Sequence, residues 1–131
     1  MSTADITRTR HARKSRKVPP AIADRLTADR RAAREAHKAG DDTEAWRLLE
    51  RTHILSQPWA WPHVRSHIDM LSLAMRTRNG PEVAGQLARI VVAGPGSATR
   101  RYPLGNTGRA NVPATQPMPV PDDLAELLAT S

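Results

Sequence analysis

The chain predicts an all-α fold: a bundle of four helices packed as antiparallel hairpins, a long Pro/Gly-rich segment laid over them, and a short terminal helix. Three observations carry this expectation. Ala, Leu, Arg and Glu are abundant and β-branched runs are nearly absent, a composition that favours helix. Apolar residues recur at three- and four-residue spacing through the first two thirds of the chain. Breaks fall at Gly40, at Pro58 and at Asn79-Gly80-Pro81. The 131 residues suffice for one domain with a modest core, assigned to residues 19–131.

Residues 1–18 are basic, polar and without apolar periodicity, which predicts a disordered tail. Pro19-Pro20 opens the first helix, where proline is tolerated. Ile22, Leu26, Ala33 and Ala36 form its stripe, and Gly40 is placed to stop it. Asp42 or Thr43 is the expected cap of the second helix, which carries Ala45, Leu48, Leu49, Thr52 and Leu55 and ends at Ser56-Gln57-Pro58. The third helix begins near Trp59 to Trp61, with Trp61, Val64, Ile68, Leu71 and Met75 as its apolar face. The fourth shows Val83, Leu87, Ile90 and Val91 on one side. Residues 94–121 hold six prolines and four glycines, which predicts a non-helical loop. Tyr102, Leu104, Val112, Met118 and Val120 would pin it to the body. Asp122 to Ala129 reads as a last helix docking through Leu124, Leu127 and Leu128. With no Phe and one Tyr, tryptophan is the bulky filler. Trp46 and Trp61 are expected in the core, and Trp59, beside the turn, in solvent.

The chain has no cysteine. That excludes disulfides, thiolate zinc sites, iron–sulfur clusters and a Cys nucleophile. The longest apolar stretch in the body, Ile90-Val91-Val92-Ala93, is far too short to span a bilayer. No apolar region follows the basic N-terminus, so no secretory signal is expected and a cytoplasmic location is the default. Net charge is +7, and residues 1–20 hold six cations against Asp5 alone. The basic character therefore lies in the tail, which would give any nucleic-acid contact a salt-sensitive, sequence-independent character.

Chemistry concentrates around Pro58. Glu50 and His53 precede it, and His63 and His67 follow it almost symmetrically. If Pro58 turns a helical hairpin, His53 lies across from His63 and Glu50 across from His67. His63 and His67 are an i, i+4 pair that lets two imidazoles converge on one ion. Glu50-x-x-His53 is half of the motif used by carboxylate-bridged di-metal bundles, so the set supports at most a mononuclear site. Imidazole and carboxylate suit one divalent transition metal, zinc above all. Chain spacing does not fix whether the four side chains converge. A histidine at the rim of a helical core commonly just donates one hydrogen bond. Gly105-Asn106-Thr107-Gly108 is made of ordinary turn residues. With Asn111, it is the segment expected to close over the site.

Four segments resemble an uncharacterised bacterial family, the one catalogued as domain of unknown function 3703. They are Leu49-Glu50-Arg51-Thr52-His53-Ile54-Leu55-Ser56-Gln57, His63-Val64-Arg65-Ser66-His67 leading to Met70-Leu71, Gly85-Gln86-Leu87 with Arg89-Ile90, and Gly105-Asn106-Thr107-Gly108 continuing to Asn111-Val112. The family pattern prefers Ala at Thr52, Gly at Ser56 and Gly at Arg109. The resemblance spans roughly residues 24–128 and implies that the hairpin and the Gly-Asn-Thr-Gly loop form one unit. It implies no activity. The first two helices are also similar to a single tetratricopeptide-type unit, with residues 40–46 and 50–53 matching its turn and second helix. Two non-catalytic functions follow as expectations. One is a small metal-binding protein with His53, His63, His67 and Glu50 as ligands. The other is a tetratricopeptide-like module that binds a protein partner, with structural histidines.

Overall fold

The computed structural model describes residues 17–99 and 101–131; the tail predicted to be disordered lies almost wholly outside them. The described residues form five α-helices: α1 (Pro20–Lys38), α2 (Asp42–Ser56), α3 (Ala60–Arg76), α4 (Gly80–Ala98) and α5 (Asp122–Ala129). The all-α expectation holds. α1 packs on α2, α2 on α3 and α3 on α4, so the main helices form successive antiparallel hairpins.

Local chemistry sets the boundaries. Pro20 stands at the first position of α1, where a missing N–H costs nothing. Gly40 follows α1 at φ +80°, a left-handed conformation that glycine adopts without penalty. Asp41, one residue before the expected cap, starts α2 by accepting from the Glu44 N–H at 3.0 Å. Asn79 does the same for α4 through Glu82 N–H at 3.2 Å, with Pro81 in the first turn.

Two apolar clusters form the core. Ala33, Ala45, Trp46, Leu48, Leu49, Met70, Leu73 and Ala74 fill one end. Ile22, Leu26, Ile54, Leu55, Trp59 and Leu124 fill the other, with Val18, Val120, Leu127 and Leu128 against them. α5 therefore docks as expected, through a fully buried Leu124.

Three expectations are corrected. The tryptophans exchange places: Trp59 is buried and Trp61 is 65% exposed. Trp59 is the extended residue that caps α3 (φ −118°, ψ 124°), and it packs with Ile22, Leu55 and Leu124 instead of facing solvent. The apolar stripes of the third and fourth helices are mostly outward. Trp61, Ile68, Met75, Leu87 and Val91 are exposed, while α3 buries His63, Ser66, His67, Met70, Leu73 and Ala74. α4 buries Glu82, Gln86, Ala93 and Ser97, residues spaced by four, seven and four along one face. Side chains that need internal hydrogen bonds were thus placed inside, against the pull of hydrophobicity. Finally, α4 runs through Gly94-Pro95-Gly96 to Ala98, so residues expected in the loop are helical. Pro95 removes one backbone donor on an exposed side of the helix, where water can satisfy the freed carbonyl. The last turn is held by Thr99 Oγ1 donating to Pro95 O at 2.7 Å and by Ser97 Oγ donating to Gln57 O at 2.6 Å.

Candidate metal centre

α2 and α3 bring His53, His63 and His67 together. Small residues permit the approach: Thr52, Ser56 and Ser66 are all buried. Each folds its hydroxyl back onto a carbonyl of its own helix: Thr52 to Leu49 O, Ser56 to His53 O, Ser66 to His63 O. Their hydroxyls are thus satisfied without crossing the interface. His53 Nε2 lies 3.0 Å from His63 Nε2 and 3.1 Å from His67 Nε2. The ring centroids are 4.6–5.1 Å apart, and the ligand nitrogens of all three fall within 4.8 Å of one another. All three rings are buried, His53 to 2% exposure.

The far side of each ring is committed. His53 Nδ1 donates to the Asn106 carbonyl at 2.7 Å. His67 Nδ1 donates to Gln86 Oε1 at 2.7 Å. The Gln86 amide nitrogen in turn donates to Glu82 Oε1 and to Gly108 O, which fixes Oε1 as the acceptor. His63 Nδ1 meets Ser97 Oγ at 2.7 Å. Because the Ser97 hydroxyl donates to Gln57 O, its oxygen accepts from the imidazole. Every ring therefore carries its hydrogen on Nδ1 and turns a bare Nε2 lone pair to the centre.

The His53 Nε2 lone pair, about 3 Å from each of the other two, is repelled by both unless a cation sits among them. A proton is disfavoured there. Burial holds His63 down at about 4 and His67 below its usual value. His53 is pushed well below 6.5 by burial first and then by its two neighbours. Tetrahedral zinc with bonds of ~2.0–2.1 Å sets its nitrogens roughly 3.3 Å apart, close to the two separations from His53 Nε2.

Glu50 does not join them. Among the described residues the close-set ligand group holds the three histidines and no carboxylate. Glu50 Oε1 accepts from Arg109 Nη1 at 3.2 Å, and Arg109 Nε reaches buried Glu82 Oε1 at 3.1 Å. Arg109 also lies over the Trp46 ring, 3.8 Å from its centroid. A half-buried guanidinium needs carboxylates, and this one engages the residue expected as fourth ligand.

The loop expected to close the site does touch it. Asn106 supplies the carbonyl for His53, and its side chain donates to Pro113 O and Gln116 O while accepting from Gly108 N. Gly105 N donates to Gln57 Oε1. Gly108, at φ +81°, lies flat on His53, and a Cβ there would fall 2.7 Å from the ring. Thr107 Oγ1 accepts weakly from Arg109 N at 3.4 Å, and Asn111 is exposed. The loop is held by hydrogen bonds more than by its apolar residues: Leu104 is exposed, and Arg89 Nη2 donates to Val112 O at 2.8 Å. Of the remaining histidines, His37 is paired with Asp42 at 2.6 Å, and His11 lies outside the described residues.

Sequence reasoning missed Gln86, Ser97 and Glu82. Their signal was the i, i+4 pair Glu82 and Gln86, with Ser97 eleven residues further along the same face of an otherwise apolar helix. It was outweighed by the more conspicuous Val and Leu stripe.

A cavity of about 760 Å³ opens beside the cluster. The three histidines, Gln57, Asn106 and Gly108 are among its lining residues. Arg89, Val92, Ala93, Pro95, Thr99, Arg101, Tyr102, Pro103 and Thr115 are among the other residues that line it. A second cleft of about 220 Å³ lies between α1 and α3, away from this chemistry.

No curated protein and no solved structure gives a significant match to this chain. The family model described as protein of unknown function (DUF3703) matches residues 20–128, which include the three histidines, their hydrogen-bond partners and the covering loop. By that match over most of its length, the chain belongs to the DUF3703 family.

Proposed function

We propose that the protein binds one divalent transition-metal ion through the Nε2 atoms of His53, His63 and His67, with a fourth position opening on the adjacent cavity. A single observation carries the reading. Three buried imidazoles point lone pairs at one centre, while Asn106, Ser97 and Gln86 hold all three Nδ1 hydrogens facing away. That outer arrangement is what metal-ligating histidines use to fix tautomer and ring orientation. Three His ligands with an open position suit zinc, and also cobalt, nickel or copper(II). Glu50 takes no part.

The test is metal content of protein purified without a His tag, stripped and reloaded with zinc. About one ion per chain is expected, falling to background in His53→Ala and His67→Ala. Equal, near-zero metal in all three proteins would overturn the reading.

A second reading, a protein-interaction module, draws on the outward apolar residues Trp61, Met75, Leu87 and Val91. It predicts a partner that is retained by the wild-type chain and lost by Leu87→Ser/Val91→Ser. Retention by both would remove it. The two readings use different faces and are compatible.

A further inference from the structure

The walls of the cavity carry charge of one sign. Arg89 and Arg101 line it, and no Asp or Glu is among its lining residues. The carboxylates nearest in sequence or space are engaged elsewhere: Glu82 by Arg109, Gln86 and Ala110 N, and Glu50 by Arg109. Arg89 is half-buried, and its guanidinium donates to the Gly85 and Val112 carbonyls, which are uncharged. Three neutral imidazoles add no negative charge to offset a bound ion. A divalent metal at the three Nε2 atoms would thus stand in a partly desolvated pocket with at least one fixed guanidinium beside it. Such a centre is short of negative charge, and an anionic fourth ligand supplies it. Val92, Ala93, Pro95, Pro103 and Pro117 add apolar surface to the wall, and the volume falls within the range of small-molecule sites.

We propose that the fourth position takes an organic oxyanion. One anionic oxygen binds the metal, Arg89 and Arg101 draw the charge in, and the apolar lining residues receive the carbon body. This rests on the metal reading above and goes beyond it by naming the ligand class. Carboxylates and phosphate monoesters share this chemistry.

The experiment uses the full chain loaded with one equivalent of Co(II), whose visible d–d bands report the fourth ligand. Benzoate and phenyl phosphate are titrated separately at ionic strength held constant with chloride, with benzamide as the neutral control. One or both anions should shift the bands saturably, benzamide should not, and the responding arm identifies the source. In Arg101→Gln, an exposed position free of folding cost, and in Arg89→Lys, the half-saturating concentration should rise roughly tenfold, the loss of one charge-assisted contact. Cobalt stoichiometry should stay at one in both. Bound cobalt with bands unmoved by either anion, or moved equally by benzamide, would overturn the proposal and leave the metal reading standing. Unchanged half-saturation in Arg101→Gln and in folded Arg89→Lys would also overturn it. Failure of Co(II) to bind at all would remove both readings together.

Discussion

Gln86 does more at the site than its place in an apolar helix suggests. It holds the His67 tautomer through Oε1 and ties the loop to α4 through its amide nitrogen. Removing an outer partner of a ligating histidine typically costs 10–100-fold in metal affinity. Gln86→Ala is therefore expected to weaken zinc binding by roughly that factor while leaving one site per chain, measured by competition with a chromogenic chelator. The histidines also make the apo-protein sensitive to acid. Their folded-state values lie below the unfolded one, His63 at about 4 against 6.5. The unfolded chain then binds more protons below pH 6.5, so the stabilising contribution is complete above 6.5 and is lost as pH falls through the window toward 4. The unfolding free energy of apo-protein from denaturant titrations should drop across that window, on the order of 3 kcal/mol for His63 alone, and the midpoint should fall with it. Equal midpoints at pH 7 and pH 4.5 would contradict the buried, neutral state.

At the scale of elements, α3 and α4 are turned so that polar side chains share the buried face with Met70, Leu73, Ala74 and Ala93, while Trp61, Met75, Leu87 and Val91 face outward. α4 seats Gln86 and Ser97 against the histidines and Glu82 against Arg109, and Val91 is consequently 75% exposed. Val91→Gln should change stability by less than ~0.5 kcal/mol, as surface substitutions do. Gln86→Leu, although apolar and of similar size, strands His67 Nδ1–H and the Gly108 carbonyl and should cost about 1–3 kcal/mol. A reversed order of these two effects in thermal denaturation would mean that the helix is rotated from the orientation described. Turn and cap chemistry was legible at this scale: Gly40, Asn79, Pro81 and the α5 boundaries stand where their residue types predict. Hydrophobic periodicity misled for α3 and α4, because it assumes that burial follows hydrophobicity. Here the buried face is selected by hydrogen-bonding partners on other elements.

For the whole molecule, the covering loop links α5 to the site. It crosses from α4 to α5, leaving the Asn106 carbonyl on His53 and Gly108 on its ring. α5 then anchors it through Leu124 in the Ile22–Leu55–Trp59 cluster and Asp123 paired with Arg51. Leu124→Ala should cost about 2–5 kcal/mol in stability. If α5 secures the loop, the same change should also lower metal affinity at a distance from the ligands. Unchanged affinity in a folded Leu124→Ala protein would show that the loop holds without its anchor. No helix among the described residues is long and apolar enough to cross a membrane.

By itself the sequence determined the helical class, the turn at Pro58, the docking of α5 and the candidate histidines. These follow from local propensity and from an i, i+4 spacing that keeps His63 and His67 on one helical face. Only the tertiary structure decided that His53 meets them, that Glu50 goes to Arg109, and that Trp59 and Trp61 exchange roles. Each of these depends on which way a helix is rotated, and that rotation is set by partners distant in the chain: Asn106 for His53, Ser97 for His63 and Gln86 for His67.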